Sequence, residues 1–460
     1  MEIKELVKKQ RDYFFCNETK SYKFRKKALK DLLDCINNHE AEIVKSLYDD
    51  LNKSDIEAYM TEIGLVKGEI KHALKHLSTW MKRKKVKTSL SQIPGKCYIV
   101  KDPYGVVLIM SPWNYPFLLS MAPLVGAIAS GNCCVLKPSI YSLNTSHIIK
   151  KIINSCFKNE YCDVIEGGRN ENTELLNQVF DYIFFTGSAD VGKIVMEKAS
   201  VNLTPISLEL GGKSPVIIDE TANIDLTAKR LVFGKFINAG QTCIAPDYVL
   251  VPKSKESELL ECIKKWINAF YKLENNKIKD YPKIINEKHF NRLLGLIDSK
   301  KVYYGGTFNK EDFTIFPTIM TNVEYSDLVM QQEIFGPILP VLTYTNLDEV
   351  IKKMHDLPKP LALYLFTNDT KVKNKILQQV SFGGGCINDT LMHIATTYMG
   401  FGGVGYSGMG SYHGASSFYT FTHKKSIIEK GKYDLPIRFR PYGKKAKDII
   451  KKIWLKSLIT

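Results

Sequence analysis

Two residues in one stretch of this chain have the types and settings of reacting groups. Leu208-Glu209-Leu210-Gly211-Gly212-Lys213-Ser214-Pro215 sets a carboxylate beside a flexible glycine pair. Gly240-Gln241-Thr242-Cys243 closes a helical pattern with a thiol. A packed core asks for neither arrangement. A thiol nucleophile and a carboxylate general base together point to covalent catalysis through a thioester-type intermediate. The other nine cysteines read as buried structural residues for the most part.

Four further segments carry candidate chemistry. Phe185-Thr186-Gly187-Ser188-Ala189-Asp190-Val191-Gly192-Lys193 follows a strand pattern and opens a helix. Glycines there admit a ligand close to the backbone, and a helix N-terminus favours anions. The spacing is not G-x-G-x-x-G, and a purely structural glycine turn is an equal reading. Lys137-Pro138-Ser139 puts a cation at the end of a strand, where parallel sheets bind ligands. Pro112-Trp113-Asn114-Tyr115-Pro116 places an amide in an apolar segment. That amide either donates to a developing oxyanion or holds a turn between two prolines. Glu333-Ile334-Phe335-Gly336-Pro337 places one acid before a tight turn; alone, it reads as a solvated surface glutamate.

The elements that must position these residues alternate. Residues 1–80 have helical apolar spacing. Strands at 98–100, 106–110, 133–136, 163–165 and 182–185 alternate with helices at 116–130, 143–157 and 172–178, which implies a doubly wound parallel sheet. A second α/β region follows, with strands at 216–218, 248–251, 338–343 and 361–366 and helices at 225–239 and 254–270. Gly383 to Gly414 holds ten glycines and reads as loop. The uncharged run Tyr104 to Leu136 could span a bilayer by length. Its three prolines and two asparagines make it a buried strand, loop, helix and strand instead.

A length of 460 residues suggests two to four domains, and 44% hydrophobic with 24% charged residues is ordinary for a globular enzyme. None of the cysteines forms a Cys-x-x-Cys pair, and Met1 to Arg11 is not a signal peptide; a reducing, cytoplasmic location fits. Glu69, His72 and His76 share a helix face, but without a further ligand they read as surface residues and no metal is expected. The net charge of +16 is uneven: residues 436–460 carry eight Lys/Arg and one Asp, and Lys82-Arg83-Lys84-Lys85 with Lys87 form a second cluster. No nucleic-acid motif accompanies this charge.

Taken together, Pro112–Pro116, Lys137–Ser139, Phe185–Ser188, Leu208–Pro215, Gly240-Gln-Thr-Cys-Ile-Ala-Pro246 and Glu333–Pro337 resemble the aldehyde dehydrogenase superfamily. Lys359-Pro-Leu-Ala-Leu-Tyr364 and Gly402-Gly-Val-Gly-Tyr-Ser-Gly-Met-Gly410, with Tyr412-His-Gly414, are similar to its class 3, fatty aldehyde dehydrogenase-like branch. The resemblance covers roughly residues 1–430.

It implies an α/β fold with three parts: a Rossmann-type NAD-binding domain (1–83 and 101–208), an α/β catalytic domain (209–388) and a bridging, oligomerisation arm (84–100 and 389–435) that makes a homodimer. It also implies roles. Cys243 attacks the aldehyde, Asn114 and the Cys243 N–H hold the oxyanion, and Glu209 activates the hydrolytic water. Glu333 holds the nicotinamide ribose, Phe335 packs near the ring, and Trp113 lines the cofactor cleft. Lys137 meets the adenosine ribose, and Gly187, Ser188 and Gly192 line the pyrophosphate.

Three positions depart from the family pattern. Ile140 stands where a ribose-binding glutamate is usual, so NADP is expected beside NAD. Gln332 precedes the intact Glu333, and Ala189 replaces a threonine. The alternatives are a CoA-acylating relative, against which Glu209 argues, and a non-catalytic basic protein at a membrane surface. In the class 3 arrangement the pairs Tyr115/Leu119 and Phe233/Ile237 line an entry tunnel for medium, long or aromatic aldehydes, although such pairs are also the mark of a buried helix face.

Beyond the resemblance, the tail from Lys444 puts Ala446, Ile449, Ile450, Ile453 and Trp454 on one helical arc, with Lys444, Lys445, Lys447, Lys451, Lys452 and Lys456 on the other. That pattern suits a peripheral membrane contact or a helix docked on the enzyme itself.

Overall fold

The structure, a computed structural model, describes residues 2–274 and 277–459. Two mainly parallel sheets carry it. The first runs, edge to edge, Gly408–Met409, Ile206–Glu209, Tyr182–Thr186, Val106–Met110, Cys133–Lys137 and Cys162–Val164. All pairings are parallel except that of the short Gly408–Met409 edge. Its central strands are buried on both faces, which is why they read as unbroken apolar runs.

The winding reverses between Val106–Met110 and Tyr182–Thr186, which pair from Val107↔Tyr182 to Met110↔Phe185. A crevice opens at the carboxyl ends of strands at such a switch point. The segments that leave those ends are Ser111–Asn114 and Gly187–Ser188. The two motifs, distant in sequence, therefore flank one crevice.

The second sheet runs Val302–Tyr304, Thr318–Met320, Ile338–Tyr344, Tyr248–Pro252, Pro215–Ile218, Ala362–Phe366 and Gly384–Ile387. Only its first edge strand is antiparallel. A third, antiparallel sheet joins Lys84–Val86, Gly95–Pro103 and Thr422–Lys430, in register from Gly95↔Lys430 to Pro103↔Thr422. Most of its last strand is exposed.

The uncharged run forms the strand Val106–Met110, the wholly buried helix Pro116–Ser130 and the strand Cys133–Lys137. Among the described residues no helix is long and apolar enough to cross a membrane. One expected helix is shorter than its pattern: it spans Ile224–Phe236 and gives way to a tight turn at Ile237–Gly240. Asn238 and Ala239 take φ of 52° and 50° there, which the α-helix forbids. The Glu69–His72–His76 face is not free surface. Glu69 is buried, accepting from Gly414 N at 2.9 Å and lying 2.7 Å from His413 Nδ1, and His72 meets Thr397 Oγ1 at 3.0 Å. The glycine-rich loop 396–414 packs over this face and covers it. Among the described residues no group of side chains forms a metal site.

The tail folds as the helix Ala446–Ile459, against the turn Leu90–Gln92. Ala446 is buried, whereas Ile449, Lys447, Lys451 and Lys452 are exposed. The side chains of Trp454 and Lys456 lie outside the described residues.

Candidate active site

Cys243 follows the tight turn Ile237–Gly240 and precedes the strand Tyr248–Pro252. Gly240, at φ 72°, is needed there: a Cβ would meet Gly336 O at 2.3 Å. The half-buried thiol faces a cavity of about 250 Å3. Tyr115, Leu119, Phe233 and Ile237, the four expected tunnel residues, all line that cavity, together with Leu391, Phe401 and Tyr412. No Asp, Glu, Lys or Arg is among its lining residues. Burial pushes the Cys243 thiol up to about 12, and the nearby carboxylates of Glu333 and Glu209 add to this. The backbone N–H groups of Cys243 and Ile244 act in the opposite direction.

Asn114 is buried and tied to the cysteine loop. Its Nδ2 donates to Gln241 O at 3.0 Å. An amide nitrogen carries two hydrogens, so a second N–H remains for an oxyanion. Tyr115 Oη meets Thr242 Oγ1 at 2.7 Å and fixes the two loops side by side. Glu209 ends the strand Ile206–Glu209; it is 3% exposed and neither carboxylate oxygen has a protein partner. Burial raises its pKa well above the usual carboxylate value. A buried, unpartnered carboxylate costs stability.

The residues expected at a dinucleotide sit around the crevice. Ser188 caps the helix Ala189–Val201, accepting from Val191 N. Gly187 N donates to Glu209 O at 3.0 Å, which couples this turn to the base. Gly192 packs so closely on Leu210 that a Cβ would come within 2.7 Å. Lys137 is buried, with Nζ donating to Pro138 O at 2.9 Å and Gly167 O at 2.7 Å. Burial lowers its pKa to about 8, against the raising effect of Glu171 and Glu166.

Glu333 is not a surface acid. Burial and Asp247 push it up to about 8, while the Gly212 N–H, Lys213 and Arg292 pull it down. Its Oε1 is buried without a partner, and Gly211 leaves just enough room for it. Phe335, at φ 50°, turns its ring to within 5.5 Å of Trp113.

Several members of this site carry no sequence motif. The His289 ring lies tilted, 5.1 Å from that of Trp113, and extends the aromatic wall. Arg292 donates to Ile334 O at 2.7 Å, and Lys213 pairs with Asp247 while donating to Gln332 O at 2.9 Å. These two cations hold the loop that presents Glu333. Lys53, from the loop between the helices Glu40–Leu51 and Asp55–Ala58, and Glu57 and Glu62, from the helical segment that follows it, reach the back of the Asn114 and Cys243 loops. The signal for Glu62 was present in the sequence: it falls on the helical face of Ala58 and Val66, an acid within an apolar stripe.

The aldehyde dehydrogenase family model matches residues 1–427. The 4,4'-diaponeurosporen-aldehyde dehydrogenase of Staphylococcus aureus is 49% identical, over 95% of this chain and 96% of its own length. The mouse "aldehyde dehydrogenase, dimeric NADP-preferring" is 43% identical, over 93% of this chain and 94% of its own. A solved structure described as the substrate-bound state of Staphylococcus aureus AldH superposes with a TM-score of 0.97 at 47% identity, covering 99% of this chain and 100% of that one. The chain belongs to the aldehyde dehydrogenase family, in its class 3 branch. It is an NAD(P)-dependent oxidoreductase with the α/β fold of that family. The unpartnered Glu333 oxygen, the helix N-terminus at Ser188 and the close glycines at 187, 192 and 211 fit such a dinucleotide.

Proposed function

We propose that the enzyme oxidises medium- to long-chain or aromatic apolar aldehydes to carboxylic acids by a hydrolytic route through Cys243. The observation that carries this reading is the mainly apolar cavity that opens onto the thiol, lined mostly by aromatic and aliphatic side chains, with no Asp, Glu, Lys or Arg. The Staphylococcus aureus relative, named for a diaponeurosporen aldehyde, is consistent with it.

The Cys243 thiol gives up its proton to solvent, and the thiolate sulfur bonds to the carbonyl carbon. The resulting oxyanion takes hydrogen bonds from the free N–H of Asn114 Nδ2 and from Cys243 N, which stabilise charge only as it develops. When bound, the nicotinamide cofactor accepts the hydride, and the carbon left on sulfur is a thioester. Glu333 and Phe335 orient the nicotinamide end, Trp113 closes the cleft, Lys137 meets the adenosine ribose, and Gly187, Ser188 and Gly192 line the pyrophosphate. Glu209 removes a proton from the water that cleaves the thioester. Its raised pKa makes it a stronger base than a solvated carboxylate, at the cost of needing higher pH to ionise.

The reading is tested by an aldehyde series from propanal to decanal. Each methylene buried in the cavity should improve kcat/KM by up to ~0.8 kcal/mol. A series with no improvement contradicts the tunnel.

Two further parts of the reading concern assembly and location. The strand Thr422–Lys430 is a largely exposed sheet edge with Ile427 and Ile428 36% and 52% exposed. A second copy of the chain adding to this edge explains the exposure, and light scattering should then give twice the chain mass. The enzyme works in the cytoplasm, with the basic tail helix meeting anionic membrane surfaces.

A further inference from the structure

Lys53 and Glu62 form an ion pair with no solvent exposure on either side chain, at 2.6 Å. Lys53 Nζ also donates to the backbone carbonyl of Asn114 at 3.0 Å, and lies 4.0 Å above the Tyr115 ring. The second oxygen of Glu62 accepts from Phe117 N at 2.9 Å and Leu118 N at 3.1 Å. Those are free N–H groups in the first turn of the helix Pro116–Ser130. The pair thus holds the backbone of Asn114, Phe117 and Leu118 and the ring of Tyr115.

The same carbonyl of Asn114 accepts a second hydrogen bond, from Asn238 Nδ2 at 2.8 Å. Asn238 sits in the left-handed turn that leads to Cys243, and its N–H donates to Glu57 Oε1 at 2.8 Å. Asn238 Nδ2 also reaches Gln241 O at 3.1 Å, the carbonyl that Asn114 Nδ2 contacts. Lys53 and Glu57 therefore hold the two halves of one junction. On one side is the proposed oxyanion donor, on the other the loop of the nucleophile.

A buried ion pair is a poor stabiliser, because desolvation offsets most of the attraction and a well-packed apolar pair serves as well. What it supplies is geometry. Neither Lys53 Nζ nor the Glu62 oxygens are among the buried unpartnered atoms, and among the described residues the hydrogen bonds of the pair outside itself all go to the segment that carries Asn114. We propose that the Lys53–Glu62 pair is a positioning element for catalysis: it sets Asn114 at the distance from Cys243 that lets the amide meet the oxyanion. This rests on the oxyanion role given to Asn114 above.

The test is a double-mutant cycle on the full-length enzyme, read as the first-turnover rate of reduced-cofactor formation so that thioester hydrolysis does not mask the chemical step. Lys53→Met with Glu62→Gln removes both charges together. Glu62→Gln alone keeps an acceptor for the helix N–H groups and serves if the double substitution does not fold. Either should lower the first-turnover rate about 10-fold or more, the order expected for an ångström-scale displacement. The aldehyde KM and the Kd for reduced cofactor should move less than about threefold, since neither substrate touches the pair. Asn114→Ala should cost roughly 10²- to 10³-fold, and on that background the pair substitution should cost less than about twofold more. The proposal is overturned if the pair substitution leaves the rate unchanged, or lowers it by the same factor with and without Asn114. A wild-type rate for Asn114→Ala would instead remove the oxyanion role, and the positioning role with it.

Discussion

Replacing Gly211 by alanine should move one carboxylate and leave the fold standing. A Cβ at 211 would lie 2.1 Å from Glu333 Oε2 and 2.6 Å from its Cδ. Ordinary contact begins at 3.4 Å, so the carboxylate must retreat by about 1.3 Å, the difference between the two distances. The obstacle is the far end of a flexible side chain, and Gly211 does not have the positive φ that penalises a side chain. The cost therefore falls on position rather than on folding. If Glu333 accepts from the ribose hydroxyls, the displacement forfeits one hydrogen bond to a charged group, worth ~1.5–3 kcal/mol. That corresponds to a loss of about 10- to 100-fold in kcat/KM for NAD, with the Tm within a degree or two. Because Glu333 ionises near 8, the wild-type advantage should widen between pH 7 and pH 9 as the acceptor form fills. Cofactor titrations by fluorescence and steady-state kinetics measure both. Because Glu333 also raises the Cys243 thiol, the control is the far-UV circular dichroism spectrum, which should be unchanged. A variant with wild-type cofactor kinetics at both pH values would refute the role of Glu333.

Three other perturbations test separate parts of the site. Ile140 is half-exposed with its Cδ1 toward Gly168, and Glu171, the main anionic neighbour of Lys137, already caps its own helix through Gly168 N. No carboxylate at 140 then opposes a 2′-phosphate: NADP should be used, Ile140→Glu should cut its kcat/KM by about 10-fold or more, and a wild-type preference for NAD above roughly a thousandfold, ~4 kcal/mol, would contradict this. Burial raises Glu57 to about 7 in the folded enzyme from an ordinary 4.5, so its contribution to stability is present below 4.5 and lost as pH rises through 7. Glu57→Gln should accordingly gain up to about 3 kcal/mol over the wild type between pH 4.5 and pH 8, and a melting difference that does not grow with pH would count against it. Full-length enzyme should sediment with anionic vesicles at low salt and release at high salt, whereas a chain ending at Pro441 should not; identical behaviour means the tail does not bind membranes.

The parts of this enzyme that were legible in sequence are those written locally. A strand buried on both faces shows as an apolar run, and the glycines and prolines at its end mark where a ligand-facing loop begins. That is how Asn114, Lys137, Gly187 and Glu209 could be placed at strand ends. Cys243 was legible from its short Gly-Gln-Thr lead. The strained turn that aims it was not, since the φ of 52° and 50° at Asn238 and Ala239 go with tertiary hydrogen bonds that Asn238 donates to the Glu57 carboxylate and to the Asn114 carbonyl. Glu62 stands out in sequence only as an acid within an apolar stripe, and Lys53 not at all, because their partners are each other and residues more than fifty positions away. His289 and Arg292 belong to an amphipathic helix, Glu287–Leu294, whose pattern says nothing about which loop it faces. The burial of Glu69 under the loop 396–414 likewise depends on a contact across the chain.

The covalent role of Cys243 is most directly tested by intact-protein mass spectrometry of the Glu209→Gln enzyme mixed with NAD and decanal. With the base removed from its buried site, deacylation should stall. The protein should gain one decanoyl group, located by peptide mapping on Cys243, together with about one equivalent of reduced cofactor, while Cys243→Ala should give neither. An acyl group on another residue, or reduced cofactor formed at the wild-type rate by Cys243→Ala, would contradict the assignment.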